Sequence, residues 1–291
     1  MEFLEELVAA NRILAEHGVI DAYGHVSIRS PDNPNRYYLA RSIAPETAQL
    51  EDLIQYDLDS KPIDAQGRDS VRERFIHGEI YRARPDVMSV VHNHSPSVIP
   101  FSVTGVPMKA LFHMASFIGD GLPNFEIRKV KRGSDLLVSD PKLGKALAKT
   151  LGSKPAALMR GHGAAVTGEN LQRSVGRSIY LEMSAIMQMQ AMAMSKKITF
   201  FDAAEVKASS PVQDYKRAWP MWRDKALAQA KADRGKTVSG AQAGYSREFE
   251  LEFWRAIKDG NDAKDFDLYV QHFPDGVYAA LAKRKIAKLR E

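Results

Sequence analysis

The sequence contains no cysteine among its 291 residues, which excludes disulfides, thiolate metal ligands and cysteine nucleophiles. It also lacks any apolar run near the roughly 18 residues that a membrane-spanning helix needs, so we expect no membrane partner. Residues 2–17 have the pattern of an amphipathic acidic helix, and we expect no secretory signal peptide. With 44% hydrophobic and 26% charged residues, we expect a globular protein of the cytoplasm.

A strong excess of one charge is also missing. The formal net charge is +5, from 41 basic and 36 acidic side chains. The whole excess lies between residues 196 and 237, where 10 basic side chains occur against 5 acidic ones. Because no dense basic stripe with interleaved aromatic residues occurs there, we expect no nucleic-acid partner. We interpret this stretch as a solvated helix face and linker.

Strand and helix patterns mix along the first two thirds of the chain. The predicted strands cover 21–29, 36–41, 86–94 and a hairpin around 161–163, and the main predicted helices cover 2–17, 70–83 and 169–194. This mixture predicts one α/β domain over residues 1–231. A small, polar, glycine-containing stretch at 232–245 is a candidate linker, and three short helical patterns predict a helical mini-domain at 246–291.

Three of the eight histidines have a spacing that indicates a metal site. His92 and His94 are two residues apart at the end of a predicted strand, and side chains alternate across a strand, so both project from one face. His162 lies between two glycines at a hairpin tip, where the backbone can approach closely. Three imidazoles with open coordination positions are typical of a catalytic metal centre. Upstream, Glu73 could be a fourth ligand or a general acid/base.

These residues lie in segments that resemble the class II aldolase/adducin family. The segments are SVRERFIHGEIYRARPDVMSVVHNHSP (70–96), MRGHGAAVTGENL (159–171), GHVSIR (24–29) and the predicted helix with Tyr180-Leu-Glu182. The resemblance covers roughly residues 2–230, and its motifs are specific when they occur together in this order.

The resemblance implies a three-layer αβα domain, usually a cyclic tetramer with active sites at subunit interfaces. It implies that His92, His94 and His162 hold one divalent metal ion per chain, with Glu73 as the acid/base. The non-enzymatic adducin branch lacks these histidines. Because this chain keeps all three, we expect an enzyme with a small-molecule carboxylate substrate.

A divalent ion held by three neutral imidazoles keeps its full charge and can stabilise an enolate-type intermediate. Retro-aldol cleavage and decarboxylation both fit such a centre, since both break a carbon–carbon bond and leave a carbanion equivalent. Epimerisation and dehydration use related intermediates.

Departures from the sugar-phosphate aldolases favour a substrate without phosphate. Those aldolases have a motif similar to G-N-x-S near the first strand and a pair of serines just before the glutamate. This chain has Gly24-His25-Val26-Ser27 at the first place and Val71-Arg72 at the second. A valine cannot donate to a phosphate oxygen. The guanidinium groups of Arg72 and Arg41, with Ser42, suit planar carboxylates instead.

Residues 24–45 and 67–87 most resemble the branch that decarboxylates hydroxylated aromatic or pyridine dicarboxylates. In that branch the metal would chelate a ring hydroxyl and an adjacent carboxylate, and a proton would reach the ring carbon after carbon dioxide leaves. We assign this proton to Glu73, with His25 and His113 as alternatives. The neighbours of His113 fit a core histidine equally well.

The sequence therefore predicts a metal-dependent decarboxylase. An aldolase acting on a non-phosphorylated carbonyl substrate, a related lyase and a non-catalytic scaffold remain as alternatives. The metal is predicted to be zinc or manganese. Three further histidines lie outside any motif and are interpreted as structural or surface residues: His17, His77 and His272.

Overall fold

A seven-stranded mixed sheet is the central element of the computed structural model, which describes residues 2–209, 213–239, 247–273 and 276–290. The strands are β1 (His25–Arg29), β2 (Arg36–Ala40), β3 (Leu53–Asp57), β4 (Ser89–Asn93), β5 (Asn124–Phe125), β6 (Ala156–Met159) and β7 (Gly163–Gly168). Their order is β3-β2-β1-β4-β7-β6-β5. Neighbours are antiparallel except β5 and β6, which are parallel. Val26 and Ile28 of β1 and Val90 and Val91 of β4 are hydrophobic β-branched residues, which suit a central pair of strands.

The helices pack on both faces of this sheet or form the C-terminal part of the chain. They are α1 (Glu2–Glu16), α2 (Phe75–Ala83), α3 (Ile99–Thr104), α4 (Pro141–Leu151), α5 (Leu171–Met194), α6 (Ala203–Ser209), α7 (Ala218–Ser239), α8 (Arg247–Ile257), α9 (Ala263–His272) and α10 (Ala279–Arg290). Within the described residues, no helix is both long enough and apolar enough to cross a membrane.

Alternation along the strands divides the core into two layers of apolar side chains. Val91 of β4 packs with α1 and α5 on one face of the sheet, and Val90 packs with α2 and α4 on the other. Helices on both sides of one sheet give the predicted three-layer αβα fold, which is confirmed. The hairpin of β6 and β7 forms where the sequence predicts it, and the predicted strands at 21–29 and 36–41 pair as β1 and β2.

Two predicted boundaries need correction. Helix α2 begins at Phe75, so Glu73 lies in the turn before the helix. Helix α7 runs through Ser239, so residues 232–239 of the predicted linker are helical. This stretch has one glycine and no proline, and its alanine, arginine and lysine residues favour the helix. Residues 240–245 lie outside the described residues.

The chain divides into two compact units, residues 1–230 and 231–291. In the second unit, α8, α9 and α10 occur at the three predicted helical segments. Phe266 and Tyr269 of α9 are fully buried at its centre. The hydroxyl of Tyr269 donates to Glu250 Oε1 over 2.6 Å, which satisfies a polar group inside this small core.

Candidate metal centre

Strand register and two turns bring the candidate ligands together. His92 lies opposite His25 across the β1–β4 ladder, and His94 follows just beyond the end of β4. His162 is in the turn between β6 and β7, next to Gly161, whose φ of +65° favours glycine. Glu73, in the turn before α2, reaches the same point from the side of the sheet that α2 covers.

The four side chains form one compact cluster. The Nε2 atoms of His92 and His94 are 3.2 Å apart, and those of His162 and His94 are also 3.2 Å apart. Glu73 Oε2 lies 3.5 Å from His92 Nε2 and 3.4 Å from His162 Nε2. All four ligand atoms lie within 4.8 Å of one another. Ligands held about 2.1 Å from a zinc ion are roughly 3.4 Å apart, so the spacing fits one divalent ion.

The outer nitrogens of two rings support this fit. His92 Nδ1 donates to the carbonyl oxygen of Ala164 over 3.2 Å, and His162 Nδ1 donates to that of Leu136 over 3.0 Å. A carbonyl oxygen can only accept a hydrogen bond, so Nδ1 of each ring carries a hydrogen, and in the neutral form of each ring Nε2 keeps the lone pair that can bind a metal. Lone pairs that point at one another repel unless a cation lies between them, and the donor set therefore suits a metal.

The charge state of Glu73 follows from its neighbours. Burial alone would raise the pKa of Glu73, but His92 and His162 beside the carboxylate outweigh burial and hold that pKa well below its usual value. Its second oxygen, Oε1, accepts a hydrogen bond from the Val138 N–H over 2.8 Å. Glu73 is thus a fixed carboxylate that can be a ligand or a base, and it must first gain a proton before it can donate one.

The pKa of His94 is lowered to about 4 by burial and then by its neighbours His92 and His162. A neutral imidazole is the form that binds a metal, so His94 is a competent ligand at neutral pH.

A cavity of about 530 Å³ opens beside the cluster. His94 and Glu73 lie on its wall, together with the predicted residues His25, Ser42 and Arg72. Its apolar wall is formed by Ala22, Tyr23, Ile43, Ala44, Val71 and Leu137. The structure therefore brings five of the predicted site residues to one cavity with both apolar and polar walls.

Two predicted substrate-binding residues are not on this wall. The Arg41 guanidinium forms an ion pair with Asp52, with 2.7 Å between Nε and Oδ1, because the β2–β3 ladder holds the two residues close together. His113 begins a short 3₁₀ helix, His113–Ile118, and its side chain is exposed with its ring against Phe112. His113 is thus neither in this cavity nor in the core.

From the sequence, His77 is interpreted as a structural or surface residue, but the structure places it next to the candidate site. It is fully buried on α2, and its Nε2 lies 2.6 Å from His25 Nδ1, behind the wall of the cavity. Burial, followed by the charge of His92, lowers the pKa of His77 to about 3. In the predicted helix 70–83, His77 lies four residues after Glu73 and therefore on the same side, and that spacing was the available signal.

Glu182 of α5 supports the loop after His94. Both of its carboxylate oxygens accept from the Ser97 N–H, over 3.3 and 3.2 Å. Glu182 is 7% exposed, so this charge is buried and bound to a backbone donor. Glu182, in the segment that resembles the family, therefore positions this loop. It is not part of the metal cluster.

Comparison with known proteins gives the class of this fold and site. A family model described as the class II aldolase and adducin N-terminal domain matches residues 5–189, more than half of the chain. The chain belongs to this family.

Among characterised relatives, the chain is 32% identical over 240 residues to Decarboxylase tropJ of Talaromyces stipitatus, covering 74% of this chain and 90% of that protein. It is 28% identical over 197 residues to 3,4-dihydroxyphthalate decarboxylase of Arthrobacter keyseri, covering 64% and 77%. Among solved structures, L-fuculose 1-phosphate aldolase from Glaciozyma antarctica PI12 has a TM-score of 0.64 at 23% identity, covering 81% and 90%, and shows the same fold. The predicted family and its decarboxylase branch are confirmed, and the protein is a lyase.

Proposed function

We propose that this lyase is a metal-dependent decarboxylase of hydroxylated aromatic or heteroaromatic carboxylic acids. The observation that carries the proposal is the convergence of three Nε2 atoms beside a largely apolar cavity, with His94 and Glu73 on its wall. The likeness to proteins described as decarboxylases, one of them of 3,4-dihydroxyphthalate, supports the same reaction type.

One divalent ion, zinc or manganese, would be held by His92, His94 and His162, with Glu73 beside it. When bound, this ion supplies positive charge that stabilises an oxygen anion next to the breaking carbon–carbon bond. The three histidines contribute no negative charge, and they therefore leave the ion strongly electrophilic.

The cavity walls can orient a flat aromatic acid. Tyr23, Ile43 and Val71 offer apolar surface for a ring, and Arg72 and Ser42 offer donors for a carboxylate. A phosphate-binding site would need a hydroxyl donor at the position of Val71, and the valine side chain cannot donate a hydrogen bond. A cavity of about 530 Å³ is in the usual range for small-molecule sites.

Glu73 is the group that can take up and return a proton at this site, and His25 lies beside it on the cavity wall. Glu73 starts as a carboxylate, so it can take the proton of the ring hydroxyl when the substrate binds. As the carbon–carbon bond breaks, its electron pair stays on the ring carbon and carbon dioxide leaves. Glu73 then returns the proton to that carbon, which balances the reaction without any further reactant.

We also propose the family's cyclic tetramer, with active sites at subunit interfaces. The second half of α5 supports this, because Met183, Ile186 and Met189 expose more than a third of their surface along one side of the helix. Mass photometry of the purified protein distinguishes a tetramer from smaller assemblies.

The test of the proposed function is product analysis on protein reconstituted with zinc or manganese. A panel of hydroxybenzoates and hydroxyphthalates should release carbon dioxide with the metal and none after chelation. Glu73→Gln should abolish release, and Glu46→Gln, a change of an exposed glutamate, should not. Aldehyde production from hydroxy-carbonyl compounds, with no carbon dioxide from any acid, would support an aldolase and overturn the proposal.

A further inference from the structure

A chain of four buried polar side chains runs behind the wall of the cavity. His25 Nδ1 is 2.6 Å from His77 Nε2, and His77 Nδ1 is 2.6 Å from Ser27 Oγ. Ser27 Oγ is in turn 2.7 Å from the phenolic oxygen of Tyr81. His77 and Ser27 are fully buried, Tyr81 is 1% exposed and His25 is 6% exposed. We call these four residues the buried chain.

The hydroxyl of Tyr81 determines the direction of these hydrogen bonds. A buried O–H needs an acceptor, and Ser27 Oγ is the acceptor for Tyr81 among the residues that the structure describes. Tyr81 therefore donates to Ser27.

The other hydrogens then have one arrangement in which each has an acceptor. Ser27 receives the hydrogen of Tyr81 and donates its own to His77 Nδ1. Neutral His77 carries its single hydrogen on Nε2 and donates it to His25 Nδ1. Neutral His25 consequently carries its hydrogen on Nε2.

The reverse arrangement is unfavourable. If His25 Nδ1 donated to His77, then His77 would donate to Ser27 and Ser27 to Tyr81, and the buried phenolic hydrogen would have no acceptor. If Ser27 instead accepted from both neighbours, its own hydrogen would be unsatisfied. Each alternative leaves an unpaired buried donor.

We propose that Tyr81, Ser27 and His77 are positioning residues that hold His25 as its Nε2–H tautomer. In that form His25 donates a hydrogen bond into the cavity, and it can neither bind the metal through Nε2 nor act as a base there. His25 lines the cavity, and its ring centre is 5.1 Å from that of His92. It lies outside the cluster of four ligand groups.

The partner of this donor is an anionic oxygen of the substrate, either a carboxylate or the oxygen that gains charge during the reaction. A neutral donor stabilises such an oxygen without adding a second positive charge close to the metal ligands. This assignment of the partner rests on the proposed function, whereas the tautomer of His25 does not.

Neutron crystallography of the perdeuterated protein tests the tautomer directly. The map should show deuterium on Nε2 of both His25 and His77 and on the Tyr81 oxygen toward Ser27. Deuterium on His25 Nδ1 would overturn the proposal. Because the map needs no substrate, its result stands whether or not the protein decarboxylates an aromatic acid.

Two matched tyrosine variants test the cause. Tyr81→Phe removes the hydroxyl that sets the direction, while Tyr37→Phe removes a nearby buried hydroxyl that bonds Ser60 and the Arg74 carbonyl instead. Nitrogen-15 NMR of the His25 imidazole should show mixed tautomers in Tyr81→Phe and the single Nε2–H form in Tyr37→Phe. Ser27→Ala, which breaks the same chain, replaces Tyr81→Phe if that variant does not fold. An unchanged tautomer in the folded variant would overturn the proposal.

Binding of 2,3-dihydroxybenzoate to the metal-loaded variants tests the donor role. If half of the molecules hold the wrong tautomer, the apparent affinity falls about twofold, and a stronger preference for that form lowers it further. We expect this loss in Tyr81→Phe and not in Tyr37→Phe. Equal affinity in the two variants, with mixed tautomers in the first, would overturn the donor role and leave the tautomer assignment intact.

Discussion

The carbonyl oxygen of Asn93 occupies the space that a side chain at Gly163 would need, since a Cβ built on Gly163 would lie 1.8 Å from it. Asn93 ends β4 next to His92, and Gly163 begins β7 next to His162, so this contact lies where the two strands meet beside the ligands. Gly163→Ala should therefore push the strands apart and destabilise the protein by more than about 3 kcal/mol, at or beyond the usual cost of overpacking. Urea unfolding monitored by circular dichroism measures this change.

A control for this substitution is Gly67→Asn. Gly67 has a φ of +81° and open space around its Cα, and asparagine tolerates this region better than most residues, so the loss should be about 1 kcal/mol or less. Similar losses in the two variants would show that the contact with Asn93 is unimportant.

Removing two ligands should remove the metal. We expect about one divalent ion per chain in the reconstituted wild type and a loss of nearly all of it in His92→Ala/His94→Ala, because only His162 and Glu73 would remain. Elemental mass spectrometry gives the stoichiometry. His113→Ala, which changes an exposed histidine, should keep the full metal content. Equal metal in the double variant and the wild type would exclude the three-histidine centre.

The bond from Glu182 to Ser97 should matter for metal affinity although neither residue is in the ligand cluster. Glu182→Ala leaves the loop after His94 without its buried acceptor, so His94 should be held less precisely. Groups bonded directly to metal ligands change affinity by about 10- to 100-fold, and this indirect contact should act at the lower end of that range. We expect a loss of about tenfold, measured by competition with a chelator. Glu46→Gln, a change of an exposed glutamate, should keep wild-type affinity.

Acid stability should depend on Glu126. Its carboxylate bonds Arg128 over 2.6 Å and Arg160 over 2.7 Å, and the Arg128 hydrogen bond is the main cause of a pKa lowered to about 2. A depressed pKa in the folded state means that the pairing stabilises the protein fully above the ordinary value of 4.5 and loses its effect as the pH falls toward 2.

Glu126→Gln should accordingly lower the free energy of unfolding at pH 7, with the two proteins converging near pH 2. Chemical denaturation at a series of pH values gives both curves. Parallel curves over pH 2–5 would show that Glu126 has no such linkage. Glu46→Gln, at an exposed site, provides the reference.

Local patterns were sufficient to predict an α/β domain, the hairpin at 161–163 and the grouping of His92, His94 and His162, whereas the three layers were implied by the family resemblance. Alternation along β4 and glycines beside the β6–β7 turn are short-range signals, and they locate side chains without knowledge of the rest of the fold. The same signals could not show that Arg41 would pair with Asp52, because that contact depends on the register of β2 with β3.

His77 shows the other limit of sequence interpretation. A histidine on a helix next to apolar residues has the pattern of a core residue, and it is indeed fully buried. Its contacts with His25 and Ser27 depend on α2 packing over β1, a pairing of segments about fifty residues apart. Nothing in either segment alone specifies that pairing.

The register that sets His25 opposite His92 makes β1 intolerant of length changes. One residue inserted or deleted between His25 and Arg29 would turn every later side chain to the other face of the sheet. Ser27 would then leave α2 and point toward α1 and α5. Residues of the turn from 30 to 35 carry no such constraint, so natural and engineered length variation should concentrate there.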